Sequence, residues 1–262
     1  MLAISGRLFV NFAHTPSYPV TIVTTFQTLF DLMDTNPEPQ YPYSPNLRAE
    51  VAAFLPHTYS RVLEIGCSYG TFRQNLPNPH EYWGVEPNTH VAQAASHNLD
   101  QVRNGLYEEV AEQLPNQYFD LVICNDVIEH MADPDHFLEL IQEKMSAGAQ
   151  LIGSIPNVRH ISNLRNLLIC KDWQYEDAGI LDRTHLKFFT EKSLRNLFAA
   201  HQFEVEKLSG INDVSSRGFF PRLFSSLLYW VLGSDVRYIQ LGFRVRLKST
   251  SNTQDHWESS AR

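Results

Sequence analysis

Arg61-Val62-Leu63-Glu64-Ile65-Gly66-Cys67-Ser68-Tyr69-Gly70 joins a short apolar run to a turn with two spaced glycines. An apolar run of this length stopped by glycine predicts a buried strand. Glycine at a strand-to-helix turn admits positive φ and lets backbone approach a ligand closely. The same pattern repeats outward from this point. EYWGVEP (81–87), QVRNG (101–105), YFDLVIC (118–124) and AQLIGSIP (149–156) read as further strands. Helical patterns separate them: NLRAEVAAFL (46–55), THVAQAASHNL (89–99), a stretch after Cys124 through Met131, and DPDHFLELIQEKM (133–145). In the last of these Asp133 is the expected N-cap and Pro134 the first helical residue. Short apolar strands alternating with helices predict parallel βαβ units with helices on both faces.

After Pro156 the alternation breaks over 157–189, resumes with a helix (190–203, capped by Thr190) and a strand (204–210), and breaks again over 211–235 before the last strand, 238–249. Residues 1–45 read as an N-terminal arm with a helix at 21–33 and a Pro-rich connector, and 250–262 as a polar tail. The expected organisation is therefore one domain, 46–249, with insertions at about 157–189 and 211–235.

The chain has 262 residues, 43 % of them hydrophobic, and a net charge of −8. That length buries a sizeable core, and the composition excludes global disorder. The acidic balance argues against nucleic acid as a partner, because phosphate contacts need a cationic surface. Cys67, Cys124 and Cys170 are odd in number and lack CxxC spacing, so they read as thiols of a reducing, cytoplasmic compartment. The opening MLAISGRLFVNFAH shows no signal-peptide pattern, and no uninterrupted apolar run of ~18 residues predicts a spanning helix. Only 12 residues are glycine, below the usual ~7 %, so glycine is expected where backbone geometry demands it.

Twenty residues after Gly66, Glu86 ends the second strand. An acid there can accept hydrogen bonds from both hydroxyls of a ribose, so turn and acid together read as a nucleoside site. A dinucleotide site would want GxGxxG, and here Ser68 and Tyr69 crowd the pyrophosphate position. GxSxG also matches the nucleophile elbow of hydrolases, with Ser68 as nucleophile, although that elbow normally follows several strands.

VLEIGCSYGTF resembles motif I of class I S-adenosylmethionine-dependent methyltransferases. Glu86 resembles that family's ribose-binding acid, and FDLVICNDVIEHMADP its fourth-strand segment. The resemblance covers about residues 46–210. It implies a Rossmann-like α/β fold, a seven-stranded, mostly parallel sheet whose last strand is antiparallel. It also implies S-adenosyl-L-methionine as cofactor, with Glu64, Gly66, Cys67, Ser68, Gly70, Glu86, Pro87, Asn125 and Asp126 around it. Two positions depart from the family pattern: Ser68 replaces the middle glycine, and Gly105-Leu106-Tyr107 stands where an acid beside adenine is expected.

The fourth-strand loop lacks the Asn/Asp-Pro-Pro-aromatic pattern of methyltransferases acting on base amines, and instead resembles the quinone-biosynthesis and sugar O-methyltransferase branch. Methyl transfer to a hydroxyl benefits from a general base, and His130 and His185, with Asp182, are the candidates. Asp126, Glu129 and His130 fall at i, i+3 and i+4 of the expected helix. That face permits a divalent ion, but solvated helix charges are its commoner meaning, so no metal is assigned. The run Asp182-Arg183-Thr184-His185-Leu186-Lys187-Phe188-Phe189-Thr190, with IPNVRH (155–160), resembles methyltransferases that accompany glycosyltransferases in surface-polysaccharide assembly. Asn157, Arg159 and His160 are the expected acceptor contacts.

The apolar stretch 219–233 reads as a buried helix, a homodimer contact, a lid or a peripheral membrane contact. Residues 211–249 carry six basic and two acidic residues, which suits an anionic lipid. The reading is a methyltransferase acting on a sugar hydroxyl of a small-molecule or glycan acceptor. The alternatives are a quinone-type phenol O-methyltransferase and a non-catalytic cofactor-binding partner of a glycosyltransferase.

Overall fold

A computed structural model of the chain describes residues 47–77, 81–213 and 229–248. The expected arm, the tail and most of 219–233 lie outside the described residues. Elements follow in the order α1 (Ala49–Ala52), β1 (Arg61–Ile65), β2 (Glu81–Glu86), α2 (Thr89–Ala95), β3 (Gln101–Asn104), α3 (Tyr107–Val110), β4 (Phe119–Asn125), α4 (Pro134–Lys144), β5 (Met145–Pro156), α5 (Ile161–Arg165), α6 (Glu191–Ala200), β6 (Phe203–Asp213) and β7 (Tyr238–Leu247). No helix among the described residues is long and apolar enough to cross a membrane.

The strands form one sheet in the order β3-β2-β1-β4-β5-β7-β6. β4 is the central strand and β1 lies beside it, with Val62 of β1 opposite Tyr82 on β2 and Leu121 on β4, both pairings parallel. β7 runs antiparallel to β5 and β6, as the resemblance implied. Because side chains alternate across a strand, Val62 and Leu63 feed two different cores. Leu63 packs with Val122, Phe137, Phe198 and Phe243, while Val62 packs with Phe54, Phe72, Leu121 and Ile152. The chain passes to opposite sides of the sheet from β1 and β4. The carboxyl ends of these two neighbours therefore frame the crevice where such sheets bind ligands.

The expected caps form. Asp133 accepts the His136 N–H at 3.0 Å with Pro134 at the first helical position, and Thr190 and Ser193 bond reciprocally at the start of α6. Asp133→Ala is expected to lower stability by about 1 kcal/mol, read as a reduced midpoint in urea.

Four expectations change. The first helix shrinks to the four residues of α1, and β5 starts at Met145. The stretch after β4 is a single 3-10 turn, Ile128–His130, because Asp126 adopts φ 53° and breaks helical continuation. β6 continues through Asp213, three residues into the expected second insertion. The first insertion closes at its base, where Asn157 and Phe189 form an isolated parallel bridge and the Val158 N–H donates to the Phe189 carbonyl at 3.1 Å.

Candidate active site

The turn after β1 curls through three left-handed residues, Gly66 (φ 69°), Ser68 (φ 48°) and Gly70 (φ 71°). A Cβ on Gly66 would meet Val127 Cγ2 at 2.6 Å, and one on Gly70 would meet Leu99 Cγ at 2.8 Å. Ser68 keeps the left-handed conformation of the glycine it replaces and donates its N–H to Glu86 Oε2 at 3.0 Å. Asn88 donates its N–H to the other oxygen at 3.0 Å. Glu86 thus ties the β1 turn to the start of α2 and keeps further lone pairs for hydroxyl donors. Pro87 follows, its carbonyl accepting from Asn104 Nδ2 at 3.1 Å.

Glu64 lies fully inside, its carboxyl accepting from the Tyr82 hydroxyl at 2.8 Å. Burial pushes its pKa up from 4.5 to about 8, against the opposing effect of the Tyr82 bond. Between those two pH values the unfolded chain has released this proton while the folded chain keeps it. This group's contribution to stability therefore falls as pH rises from 4.5 to about 8. In the absence of cofactor, Glu64→Gln is expected to flatten that slope, measured as the difference between variant and wild type in urea unfolding at pH 5 and pH 8.

Cys67 is buried. Its side chain is in the core, its N–H bonds the Val85 carbonyl at 3.0 Å, and its carbonyl accepts from Gly70 at 2.8 Å. Its backbone thus ties the turn to β2 and to Gly70, and its side chain fills the core beneath the cradle. Beyond β3, Tyr107 is buried against Phe137 at 5.3 Å, while Leu106 is exposed at the rim.

At the end of β4, both polar atoms of the Asn125 amide are buried with no partner. Asp126 is turned away from that position. Its carboxylate accepts from Ser154 Oγ at 2.9 Å, from Gln240 Nε2 at 2.8 Å and from the Arg48 guanidinium. Arg48 also donates to Ser154 Oγ at 2.8 Å and pairs with Glu50. The sequence reading missed Arg48, whose contacts join the segment before β1 to the ends of β4 and β5.

Glu129, His130 and His185 gather where the 3-10 turn meets the insertion. Their ligand atoms lie within 4.8 Å of one another, and the two imidazole centroids are 4.7 Å apart. His130 Nδ1 lies 3.2 Å from the Thr184 carbonyl and His185 Nδ1 2.9 Å from the Ile180 carbonyl. A carbonyl only accepts, so each Nδ1 carries a proton, and a neutral ring then holds its lone pair on Nε2. Burial lowers the His185 pKa, which keeps that ring neutral. The Glu129 carboxyl is 1 % exposed, has no partner for either oxygen, and is held well above the usual carboxylate range by burial. The Asp126/Glu129/His130 face does not form: without the helix, His185 takes the third place. Asp182 accepts from the Thr184 N–H at 2.8 Å and from its hydroxyl at 2.6 Å, so it holds the loop that presents His185 and acts on the imidazole only through its charge.

The three expected acceptor contacts all bond to protein groups. Asn157 is buried and donates to the Asp235 and Tyr238 carbonyls at 2.9 and 3.0 Å. Arg159 pairs with Asp235 at 2.6 Å, and His160 caps α5 with Nδ1 2.7 Å from Ser162 Oγ. Asn157 and Arg159 latch the insertion to the approach to β7, while His160 caps α5.

A family model described as "Methyltransferase domain" matches residues 40–208. A ubiquinone biosynthesis O-methyltransferase from Aeromonas salmonicida is 27 % identical over 162 residues, covering 58 % of this chain and 66 % of the relative. One from Azorhizobium caulinodans is 28 % identical over 160 residues, covering 58 % and 61 %. The chain thus spans just under two thirds of the length of these relatives. A methyltransferase structure from Archaeoglobus fulgidus superposes with a TM-score of 0.55 at 20 % identity, covering 76 % of this chain and 90 % of that one. One from Mesorhizobium loti gives 0.54 at 16 %, covering 77 % and 100 %.

The groups at the strand ends suit a nucleoside with a polar tail: an acid at Glu86, an exposed apolar side chain at Leu106, and the unpartnered amide of Asn125. With the matched region spanning the cradle, the β4 turn and the insertion, the chain belongs to the methyltransferase domain family and uses S-adenosylmethionine as its cofactor.

Proposed function

We propose that the chain transfers a methyl group to a hydroxyl. The observation that carries this is the imidazole pair, His130 and His185, with both Nδ1 protons held by backbone carbonyls and both Nε2 lone pairs left to receive a proton. A tethered, neutral imidazole beside an unpartnered carboxyl is the equipment of proton abstraction, which a hydroxyl acceptor needs and a cofactor-holding partner does not.

In this reading Glu86 accepts from the ribose hydroxyls, and the Gly66–Gly70 turn admits the nucleoside at backbone distance. Glu64 braces the turn from below through Tyr82, and Asn125 completes its amide hydrogen bonds on the methionyl portion. The cofactor supplies a methyl group on a positively charged sulfur. The protein's part is alignment of the acceptor oxygen, exclusion of water and removal of the hydroxyl proton. His185, on the insertion, and His130, on the core, close on the acceptor from two sides.

Of the two acceptor classes, the names of the curated relatives favour a phenol of the quinone type. The sugar reading is favoured by the insertion motif around His185. Transfer of labelled methyl from S-adenosylmethionine to a panel of catechols and of methyl glycosides tests this. Transfer to at least one hydroxyl class is the expected result. Transfer only to amines or carbon acids would overturn the O-methyl reading.

A further inference from the structure

The first insertion turns apolar side chains to solvent. Of the nine large hydrophobic residues exposed among the described residues, five belong to it: Leu167, Leu168, Trp173, Tyr175 and Leu186. Single exposed apolar side chains need no explanation, whereas a contiguous group marks a binding surface. Here the aromatic members are contiguous. Ring centroids step from His130 to His185 at 4.7 Å and from His185 to Phe188 at 6.5 Å. From Phe188 they step to Trp173 at 5.6 Å and to Tyr175 at 6.3 Å. A line of rings thus runs from the imidazole pair to the surface.

Backbone bonds fix this line in place. Lys187 donates its N–H to the Glu129 carbonyl at 3.0 Å, and the Phe189 carbonyl accepts from the Val158 N–H at 3.1 Å. The residues on both sides of Phe188 are therefore tied to the body of the domain. Trp173 and Tyr175 are two residues apart and both reach Phe188, so they share one face of the segment that carries them. That segment is pinned before Trp173 by the Asp172 N–H on the Asn166 carbonyl, and after Tyr175 by the Glu176 N–H on the Leu181 carbonyl, each at 2.9 Å. Trp173 and Tyr175 nevertheless stay 36 % and 42 % exposed. Holding apolar rings in place while they face water gives up most of the gain of burial, and a ligand laid against them recovers it.

We propose that Trp173, Tyr175 and Phe188 form the subsite for the ring that bears the acceptor hydroxyl. Its occupant is a six-membered ring, a phenol or a pyranose, lying against these aromatic side chains. Paired rings sit with centroids about 4.5–7 Å apart, and the step from Phe188 to His185 is 6.5 Å. A ring resting on Phe188 and Trp173 is therefore of the size to carry a hydroxyl on its edge to the Nε2 side of His185. Both occupants present an apolar face with hydroxyls at the edge. An open-chain alcohol can reach the same imidazole but leaves the aromatic surface uncovered. The place of the hydroxyl rests on the O-methyl reading, whereas the seat of the ring does not.

The test is saturation-transfer NMR on the full chain with S-adenosylhomocysteine present. The probes are 4-methylcatechol, methyl α-D-glucopyranoside and 1,2-butanediol. Saturation of the ring protons of at least one cyclic probe, with the open-chain diol at background, is the expected result. Catechol alone identifies a phenol acceptor, and the glucoside alone a sugar. Trp173→Ala and Tyr175→Ala should each weaken the cyclic probe at least about tenfold, since a large aromatic contact is lost, and Trp173→Phe should restore most of it. In methyl transfer, the same alanine variants should lose more in acceptor KM than in kcat. Both side chains are exposed, so the urea midpoint and the affinity for S-adenosylmethionine should match the wild type. No saturation of either ring in the wild type, or equal saturation in both alanine variants, overturns the proposal. A hydroxyl methylated with unchanged KM in both variants removes the ring subsite and spares the O-methyl reading. A ring bound as expected, with no hydroxyl methylated, does the reverse.

Discussion

Glu86→Ala is expected to weaken S-adenosylmethionine at least about a hundredfold in a calorimetric titration. The carboxylate is assigned two hydrogen bonds to ribose hydroxyls. Bonds to a charged group contribute about 1.5–3 kcal/mol each, and about 1.4 kcal/mol is tenfold in affinity. The substitution also frees the Ser68 and Asn88 N–H groups that Glu86 holds at 3.0 Å, so the left-handed turn at Ser68 loses its brace. Glu86→Gln separates these effects. It keeps an oxygen for one of the two N–H groups, turns the other position into a donor, and should fall between wild type and alanine. An unchanged affinity in Glu86→Ala would move the ribose elsewhere along the strand ends.

His185→Ala is the second large effect. Loss of a positioned general base costs about 10²–10⁴ in rate. The cofactor's affinity should hold, because among the described residues the cradle around Gly66 and Glu86 makes none of its hydrogen bonds to the insertion. The wild-type pH profile carries a matching signature. Burial holds the His185 pKa below its ordinary 6.5, so the imidazole stays neutral through the neutral range. Turnover should therefore fall only as pH drops below 6.5 and the ring takes a proton. An acid limb centred above 6.5 would point to a different base.

Gly70→Val tests the turn from the backbone side. Valine at φ 71° is in the left-handed region, which costs roughly 1–2 kcal/mol, and its Cβ would press on Leu99 Cγ at 2.8 Å. Cofactor affinity and the urea midpoint should therefore fall together.

What was legible in the sequence follows from the range of the interactions. The strand runs, the glycine turn, the acid at Glu86 and the caps at Asp133 and Thr190 are set by local pattern, and each stands where it was expected apart from the longer β5 and β6. Arg48 could not be seen, because its meaning depends on Asp126 and Ser154, 78 and 106 residues away. Arg159 resembled an acceptor contact for the same reason: its partner, Asp235, lies 76 residues on. The grouping of Asp126, Glu129 and His130 rested on helical periodicity. One left-handed residue, Asp126, was enough to replace that face with a turn and bring in His185 from the insertion. Glu129 is the plainest lesson. Its neighbour His130 drew attention as a base, while the buried, unpartnered carboxyl beside it shows only once the insertion has folded over it.

The most direct test of a hydroxyl-directed methyltransferase is one assay on paired samples: methyl transfer from labelled S-adenosylmethionine by wild type and by His185→Ala, at cofactor concentrations that saturate both. The predicted result is transfer to a hydroxyl by the wild type that falls at least about a hundredfold in the variant. Equal transfer by the two proteins would contradict it.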